Sequence, residues 1–81
     1  MSFYVYMLKS TSVNSVTYVG YTNDLKKRIN LHNSGKGAKF TRGKKWKLVY
    51  YKKYDSKSLA MKKEYLLKKD YKLRKKIVNS K

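Results

Sequence analysis

The chain predicts an α+β fold, a three-stranded antiparallel sheet flanked by helices in the order β-β-α-β-α-(α). Phe3 to Leu8, Val16 to Tyr21 and Trp46 to Tyr54 are rich in aromatic and β-branched residues and lack helical periodicity, which is typical of strands. Helical signals follow the second and third of these segments. With 81 residues and no cysteine, we expect one domain, residues 1–81, whose small core has no disulfide.

The first two strands pair most simply as an antiparallel hairpin, with Ser10 to Ser15 as the connecting loop. If they do so, Tyr6 and Tyr18 can lie close together on one face of the sheet. Gly20 lies on the second of these strands. Because it has no side chain, it can let another backbone or a ligand approach closely.

Each predicted helix begins at a polar capping cluster. Residues 22–24 (Thr-Asn-Asp) precede a first helix from about Asp24 to Asn33. Within it, Arg28 and His32 are one turn apart, so their side chains can converge. Residues 55–56 (Asp-Ser) precede a second helix from about Lys57 to Lys69, and Asp70 to Asn79 continues it or forms a short third helix.

The net charge indicates a polyanionic partner. Twenty-two Lys and Arg residues against four Asp and Glu give +18, so nucleic acid is the first candidate. An anionic membrane is the weaker candidate, because the aromatic residues lie mostly in strand segments and not on a helix face. No apolar run suggests a leader or a membrane span, and we expect a cytoplasmic protein.

The segment from Ser34 to Lys45 is a predicted loop with three glycines and five basic residues. It has neither the spacing of a Walker loop nor that of a dinucleotide-binding fingerprint. A flexible basic loop suits contact with a phosphate backbone, although a merely solvated loop has the same composition. The candidate nucleic-acid-binding residues are Lys36, Lys39, Arg42, Lys44 and Lys45.

Three of the four acids have simple structural interpretations. Asp24 and Asp55 stand at helix starts, where a carboxylate accepts backbone N–H groups. Asp70 can pair with Arg74, four residues further along. These interpretations leave Glu64, the only glutamate, as the acid that calls for another explanation.

Glu64 lies beside the apolar stripe of the second helix, so its carboxylate should be partly buried and should need a cation. That cation is either Lys68 or Arg28, in a salt bridge, or a metal ion. The spacing of residues along the helix does not distinguish these alternatives. A single carboxylate fits Mg²⁺ held mostly by waters and substrate oxygens. It excludes a two-metal nuclease site and a paired-carboxylate glycosidase.

The tyrosines and the only histidine admit two interpretations each. His32 is a hydrogen-bonded core residue, or it contacts phosphate or a reacting tyrosine. Tyr6 and Tyr18 pack the core, or one of them acts as a general base with its pKa lowered by nearby cations.

Taken in order, these residues resemble the GIY-YIG nuclease superfamily, most of all its small stand-alone (YhbQ-like) members. Tyr4-Val5-Tyr6 and Tyr18-Val19-Gly20 stand where the family has Gly-Ile-Tyr and Tyr-Ile-Gly. Arg28 and His32 match the family's helix, and Glu64 its metal-binding glutamate. Two positions depart from the pattern: Tyr4 replaces the first glycine, and Tyr21 stands where some members have a lysine.

The resemblance implies a metal-dependent DNA endonuclease with Mg²⁺ (or Mn²⁺) as cofactor. Water would attack phosphorus with Tyr6 as base and Tyr18 as support, and Arg28 would stabilise the pentacoordinate phosphate. Glu64 would hold the metal at the leaving oxygen. For the asparagine that many members carry after the glutamate helix, Asn79 is the only candidate.

Two functions remain open from the sequence. The first is a nuclease of low sequence specificity, structure-selective in DNA repair or recombination, which cuts branched or nicked duplex as a monomer and takes its specificity from a protein partner. The second is a non-catalytic basic module that keeps the fold and binds nucleic acid.

Overall fold

Three strands and three helices make up the fold in the computed structural model, which describes residues 2–12 and 14–80. Their order along the chain is β1 (Phe3–Ser10), β2 (Thr17–Thr22), α1 (Leu25–Asn33), β3 (Trp46–Tyr54), α2 (Lys57–Lys69) and α3 (Tyr71–Asn79). The predicted α+β order is confirmed. The chain leaves helical geometry at Asp70, so α3 is a separate helix and not a continuation of α2.

The sheet is antiparallel, with strand order β2-β1-β3. In the β1–β2 hairpin, Tyr6 is opposite Gly20 and Leu8 is opposite Tyr18. Opposed residues share a face, and so do residues two apart on one strand. Tyr6 and Tyr18 therefore lie on the same face, as the sequence predicted, with ring centroids 6.4 Å apart.

Each face of the sheet is covered by helix. On one face, Val5 and Met7 of β1 pack with Ala60 and Leu67 of α2, and Ile77 of α3 borders this cluster. The sheet is thus the middle layer of three, with α2 and α3 on this side.

The other face carries α1. Tyr6, Leu8 and Trp46 form its buried cluster, and Leu25 and Ile29 of α1 pack against them. Burial on both faces explains why the central strand β1 contains almost no exposed side chain. It also places α1 directly above Tyr6.

Polar side chains cap all three helices, although two of the predicted acid roles were wrong. The carboxylate of Asp24 accepts the N–H of Lys27 at 3.1 Å, as expected. At α2 the cap is the hydroxyl of Ser56, which accepts the N–H of Leu59, and not the neighbouring Asp55.

Asp70 does not pair with Arg74, because its carboxylate caps α3 instead. It accepts the N–H of Leu73 at 3.0 Å, which directs it along the helix axis. Arg74 extends the other way and reaches the hydroxyl of Thr17 on β2 at 3.4 Å.

The loop of residues 34–45 is closed at its base by one side chain. The amide of Asn33 accepts the N–H of Trp46 at 2.6 Å and donates to its carbonyl at 3.3 Å. The Trp46 indole N–H in turn donates to the carbonyl of Thr41 at 3.0 Å. The loop was expected to be a free basic segment; these bonds instead fold it back over the α1 face of the sheet.

None of the helices within residues 2–12 and 14–80 combines the length and the hydropathy that a membrane span requires.

Candidate active site

A cleft of about 490 Å³ lies at the β2 edge of the sheet and takes its walls from β1, β2, α1 and α2. We call it the β2 cleft. Five residues singled out from the sequence line it: Tyr6, Tyr18, Gly20, Arg28 and Glu64. Its other lining residues are Phe3, Tyr21, Thr22, Asn23 and Lys57.

Tyr6 reaches this cleft only because Gly20 has no side chain. Tyr6 belongs to the central strand, so its phenol must cross the edge strand β2. A Cβ on Gly20 would lie 2.6 Å from the Tyr6 hydroxyl oxygen and 3.1 Å from Cε2 of Tyr18. The close approach expected at Gly20 is therefore made by the tyrosine that the sequence proposed as the base.

Behind the cleft, the Tyr6 hydroxyl begins a buried chain of hydrogen bonds. Its oxygen lies 2.8 Å from Nε2 of His32, and Nδ1 of His32 lies 2.8 Å from the hydroxyl oxygen of Thr41. The Thr41 hydroxyl donates to the carbonyl of Ala38 at 3.0 Å. Tyr6, His32 and Thr41 are all within 1% of complete burial. We call these three side chains the phenol–imidazole relay.

The relay fixes which imidazole nitrogen carries the proton. Thr41 has one hydroxyl hydrogen and gives it to Ala38, so its oxygen accepts from His32 Nδ1–H. In a neutral imidazole, Nε2 is then the acceptor, and the Tyr6 hydroxyl donates to it. Burial, together with the positive charge of Arg28, holds the pKa of His32 below its usual value, which favours this neutral form.

The expectation that nearby cations lower the tyrosine pKa was wrong for Tyr6. Burial of the phenol is the largest influence and raises the pKa of Tyr6, and the neighbouring Tyr18 raises it further. Arg28 does lower this pKa, but by less than burial raises it. Tyr6 is therefore a neutral hydrogen-bond donor at neutral pH.

Sequence reasoning missed two loop residues that hold His32 in place, Thr41 and Gly37. A Cβ on Gly37 would collide with Nδ1 of His32 and would lie 2.6 Å from its Cγ. The loop backbone thus lies directly against the imidazole and closes it off from solvent. Of the two functional contacts considered for His32, the structure contains the one with a tyrosine, whereas full burial keeps the ring from phosphate.

Tyr18 forms the wall between the relay and solvent. Its ring centroid lies 4.9 Å from that of His32, and on its other side it stacks on Phe40 at 6.2 Å. Phe40 is itself 55% exposed and is a third loop residue that the sequence did not single out. The signal was available, since Phe40 is the only aromatic residue between Tyr21 and Trp46.

Glu64 is paired with Lys68 and not with Arg28. The ammonium of Lys68 lies 3.2 Å from the carboxylate, and the Glu64 side chain is 16% exposed. Within the part of the chain that the structure describes, no three His, Cys, Asp or Glu residues cluster as a metal site. One carboxylate lining an open cleft still fits Mg²⁺ or Mn²⁺, because such ions keep several waters and bind substrate oxygens.

Other predicted residues lie outside the β2 cleft. All five basic side chains of the loop are exposed, as contact with a polyanion requires. Asn79, in contrast, ends α3 on a surface with Lys72 and Lys76 and is not part of the cleft. Tyr21, which stands where some members of the resembled family have lysine, does line the β2 cleft.

The lowered pKa of His32 makes the stability of the fold pH-dependent. As pH falls through about 6.5, the unfolded chain binds a proton that the folded chain does not, so the free energy of unfolding falls. We expect the free energy of unfolding, measured by urea unfolding, to fall as pH is lowered from about 7.5 to about 5.5. The slope should steepen over this range and stay below about 1.4 kcal/mol per pH unit, the limit for one proton. His32→Gln should remove most of it, and an equal slope in both proteins would contradict the assignment.

Known proteins with similar sequences point to the same family as the resemblance noted above. The family model of the GIY-YIG catalytic domain matches residues 2–77. A UPF0213 protein of Streptococcus pyogenes serotype M3 is 51% identical over 67 residues, which cover 82% of this chain and 71% of that protein. A UPF0213 protein of Oceanobacillus iheyensis is 46% identical over 66 residues, covering 80% and 74%.

A solved structure agrees with these matches. The solution NMR structure of a UPF0213 protein from Bacillus halodurans is 40% identical, covers 100% of this chain and 86% of its own, and superposes with a TM-score of 0.57. The family match spans both tyrosine strands, Arg28, His32 and Glu64. This chain belongs to the GIY-YIG family, a nuclease superfamily, and has UPF0213 proteins among its relatives.

Proposed function

We propose that the protein is a metal-dependent endonuclease that hydrolyses DNA phosphodiesters with low sequence specificity. Its substrates would be branched or nicked duplexes in DNA repair or recombination. The observation that carries this proposal is the Tyr6–His32 hydrogen bond of 2.8 Å, beside a cleft also lined by Arg28 and Glu64. The residues proposed as general base, phosphate-binding cation and metal ligand all line this one cleft.

Tyr6 acts as base only together with His32. Because burial raises the pKa of Tyr6, a free phenolate is not populated at neutral pH, and the phenol needs an acceptor for its own proton. His32 Nε2 is that acceptor. As the water oxygen bonds to phosphorus, its proton passes to the Tyr6 oxygen and the Tyr6 proton passes to Nε2. The bond from phosphorus to the leaving oxygen breaks in the same displacement.

Arg28 and Tyr18 would support this step in different ways. The half-buried guanidinium of Arg28 lines the β2 cleft and can bind two phosphate oxygens as charge develops on them. Tyr18 packs against the rings of Tyr6 and His32, and it holds both in the geometry that proton transfer needs.

Glu64 would hold Mg²⁺ or Mn²⁺, with waters and phosphate oxygens completing the ligands. Bound there, the ion would supply positive charge to the leaving oxygen. Without it, Lys68 neutralises the carboxylate, which explains how a lone, mostly buried acid is tolerated in the fold.

The loop of residues 34–45 would track the DNA backbone. Its cationic side chains are exposed, and the loop also contains Thr41, which is hydrogen-bonded to His32 and to the Trp46 indole. One segment would therefore link backbone contact to the proposed catalytic site. We propose that the protein acts as a monomer in the cytoplasm and that a protein partner supplies specificity.

A non-catalytic nucleic-acid-binding module is the second candidate. The Glu64–Lys68 salt bridge favours it, because a carboxylate already neutralised has less need of a metal ion. The two functions differ in one respect only, which is turnover in the presence of a divalent metal.

We expect Mg²⁺-dependent nicking of supercoiled plasmid and cleavage of branched DNA, both abolished by EDTA. Glu64→Gln should lower the cleavage rate at least roughly 100-fold, since it removes the proposed metal ligand while keeping the side-chain shape. Binding of DNA should be unchanged or slightly tighter because a negative charge is lost. Asp55→Asn, an exposed acid with the same charge change, is the matched control and should cut normally.

Nicking that persists in Glu64→Gln would show that the metal-ligand assignment is wrong. Tight binding by the unmodified protein with no cleavage of any substrate would favour the binding module.

Neutralising the loop should weaken binding through salt-dependent contacts. In the triple variant Lys39→Gln, Lys44→Gln and Lys45→Gln, we expect the slope of log binding constant against log salt concentration to become shallower by about 2–3. The matched control replaces Lys72, Lys75 and Lys76 of α3 by Gln, which removes the same charge far from the loop. Equal slopes in the two triple variants would contradict a specific role for the loop.

A further inference from the structure

A second, smaller depression of about 200 Å³ lies on the same edge of the sheet as the β2 cleft. Its lining residues are Thr17, Tyr18, Val19, Lys68 and Arg74, and we call it the Arg74 notch. It presents an ammonium, a guanidinium and a hydroxyl, and none of its lining residues in the described part of the chain is acidic. A small depression with two cations and a hydroxyl has the chemistry of an anion site.

Arg74 has more donors than the protein satisfies. Its Nη1 reaches the hydroxyl of Thr17 at 3.4 Å, a long hydrogen bond, and its Nε is buried with no partner. The guanidinium lies 5.8 Å from the ring centroid of Tyr71, which holds its plane. Among residues 2–12 and 14–80, no carboxylate lies within salt-bridge distance of it. Buried donors are normally paired, so Arg74 keeps hydrogen-bonding capacity that residues 2–12 and 14–80 do not satisfy.

The Arg74 notch and the β2 cleft are neighbours. Tyr18 lines both, and Lys68 in the notch is bound to Glu64 in the cleft at 3.2 Å. From Thr17 to Gly20 is three steps of an extended strand, about 10 Å. Successive phosphates of one DNA strand are about 3.4 Å apart along a duplex axis. A strand lying in the cleft therefore reaches the notch within about three nucleotides.

We propose that the Arg74 notch binds a phosphate of the cleaved strand, one to three nucleotides from the bond that is cut. This inference rests on the proposed function, because it assumes that the DNA strand lies in the β2 cleft. Arg74 and Lys68 hold the strand at a second point, so the strand cannot slide along the cleft while Tyr6 faces the scissile phosphate. Arg74 is thus a strand-binding residue and not a catalytic one.

The experiment measures binding of thymidine oligonucleotides with one to six phosphates, in EDTA so that turnover plays no part. For the unmodified protein we expect a step of roughly tenfold in affinity at the length that first reaches the notch. Arg74→Gln should lose this step. Lys75→Gln removes the same charge from an exposed site on the same helix and should keep it.

Two further arms keep the test decisive. Arg74→Lys keeps the positive charge but loses the planar guanidinium with its paired N–H donors. It should show a smaller increase in affinity at the same oligonucleotide length. If Arg74→Gln fails to fold, as thermal unfolding would reveal, this variant and the NMR signal of Arg74 Nε–H in the unmodified protein carry the test. That signal should shift only with oligonucleotides long enough to show the affinity step.

Two outcomes would overturn the proposal. In the first, Arg74→Gln and Lys75→Gln lose the same small factor at every length, which indicates general charge attraction. In the second, inorganic phosphate alone shifts the Arg74 Nε–H signal while the length series shows no step, which makes the notch a site for a free anion. Failure of nuclease activity would leave the length series intact, so the two proposals fail separately.

Discussion

The hydrogen bond between the Tyr6 hydroxyl and His32 Nε2 is the contact on which the rest of the site depends. It joins the central strand to α1, and both partners are fully buried. Each partner requires a glycine beside it, Gly20 at the phenol and Gly37 at the imidazole. The loop over the imidazole is in turn held by the Trp46 indole. Much of the α1 side of the molecule therefore packs around this one hydrogen bond.

In the proposed reaction, this arrangement reconciles burial with base catalysis. Tyr6 can accept a proton from water only if it loses its own, yet burial raises the pKa of Tyr6. The positive charge of Arg28 lowers that pKa by less than burial raises it. A neutral imidazole at 2.8 Å provides an acceptor without exposing the phenol, and the same burial keeps that imidazole neutral. In the proposed function, the chain's +18 charge would then serve DNA binding and not activation of the base.

Local patterns were sufficient to predict the fold. The bounds of β3 and α2 follow from an aromatic-rich segment without helical periodicity and from the Ser56 cap, and the Tyr6–Tyr18 proximity follows from strand alternation. The role of Asp70 was not predictable, because capping Leu73 and pairing with Arg74 are both local options for one carboxylate. Only the way Arg74 packs toward β2 decides between them.

Most residues of the candidate site could be predicted from the sequence, but their protonation and hydrogen bonding could not. The tyrosines, Arg28, His32 and Glu64 stand out by residue type and spacing. Thr41 and Gly37 do not, because their contacts with His32 arise only when the loop folds back from Trp46. The pKa of Tyr6 escaped prediction for the same reason, since burial depends on how α1 and the loop cover the sheet.

The central claim is that His32 is neutral, with its proton on Nδ1, and accepts a hydrogen bond from Tyr6. The most direct test is ¹⁵N NMR of the imidazole at neutral pH, which is unambiguous because the chain has a single histidine. We predict a protonated Nδ1 and an unprotonated Nε2, with the Nε2 resonance moving in Tyr6→Phe. A proton on Nε2, or an imidazolium, would contradict the account, because His32 could not then receive the proton of Tyr6.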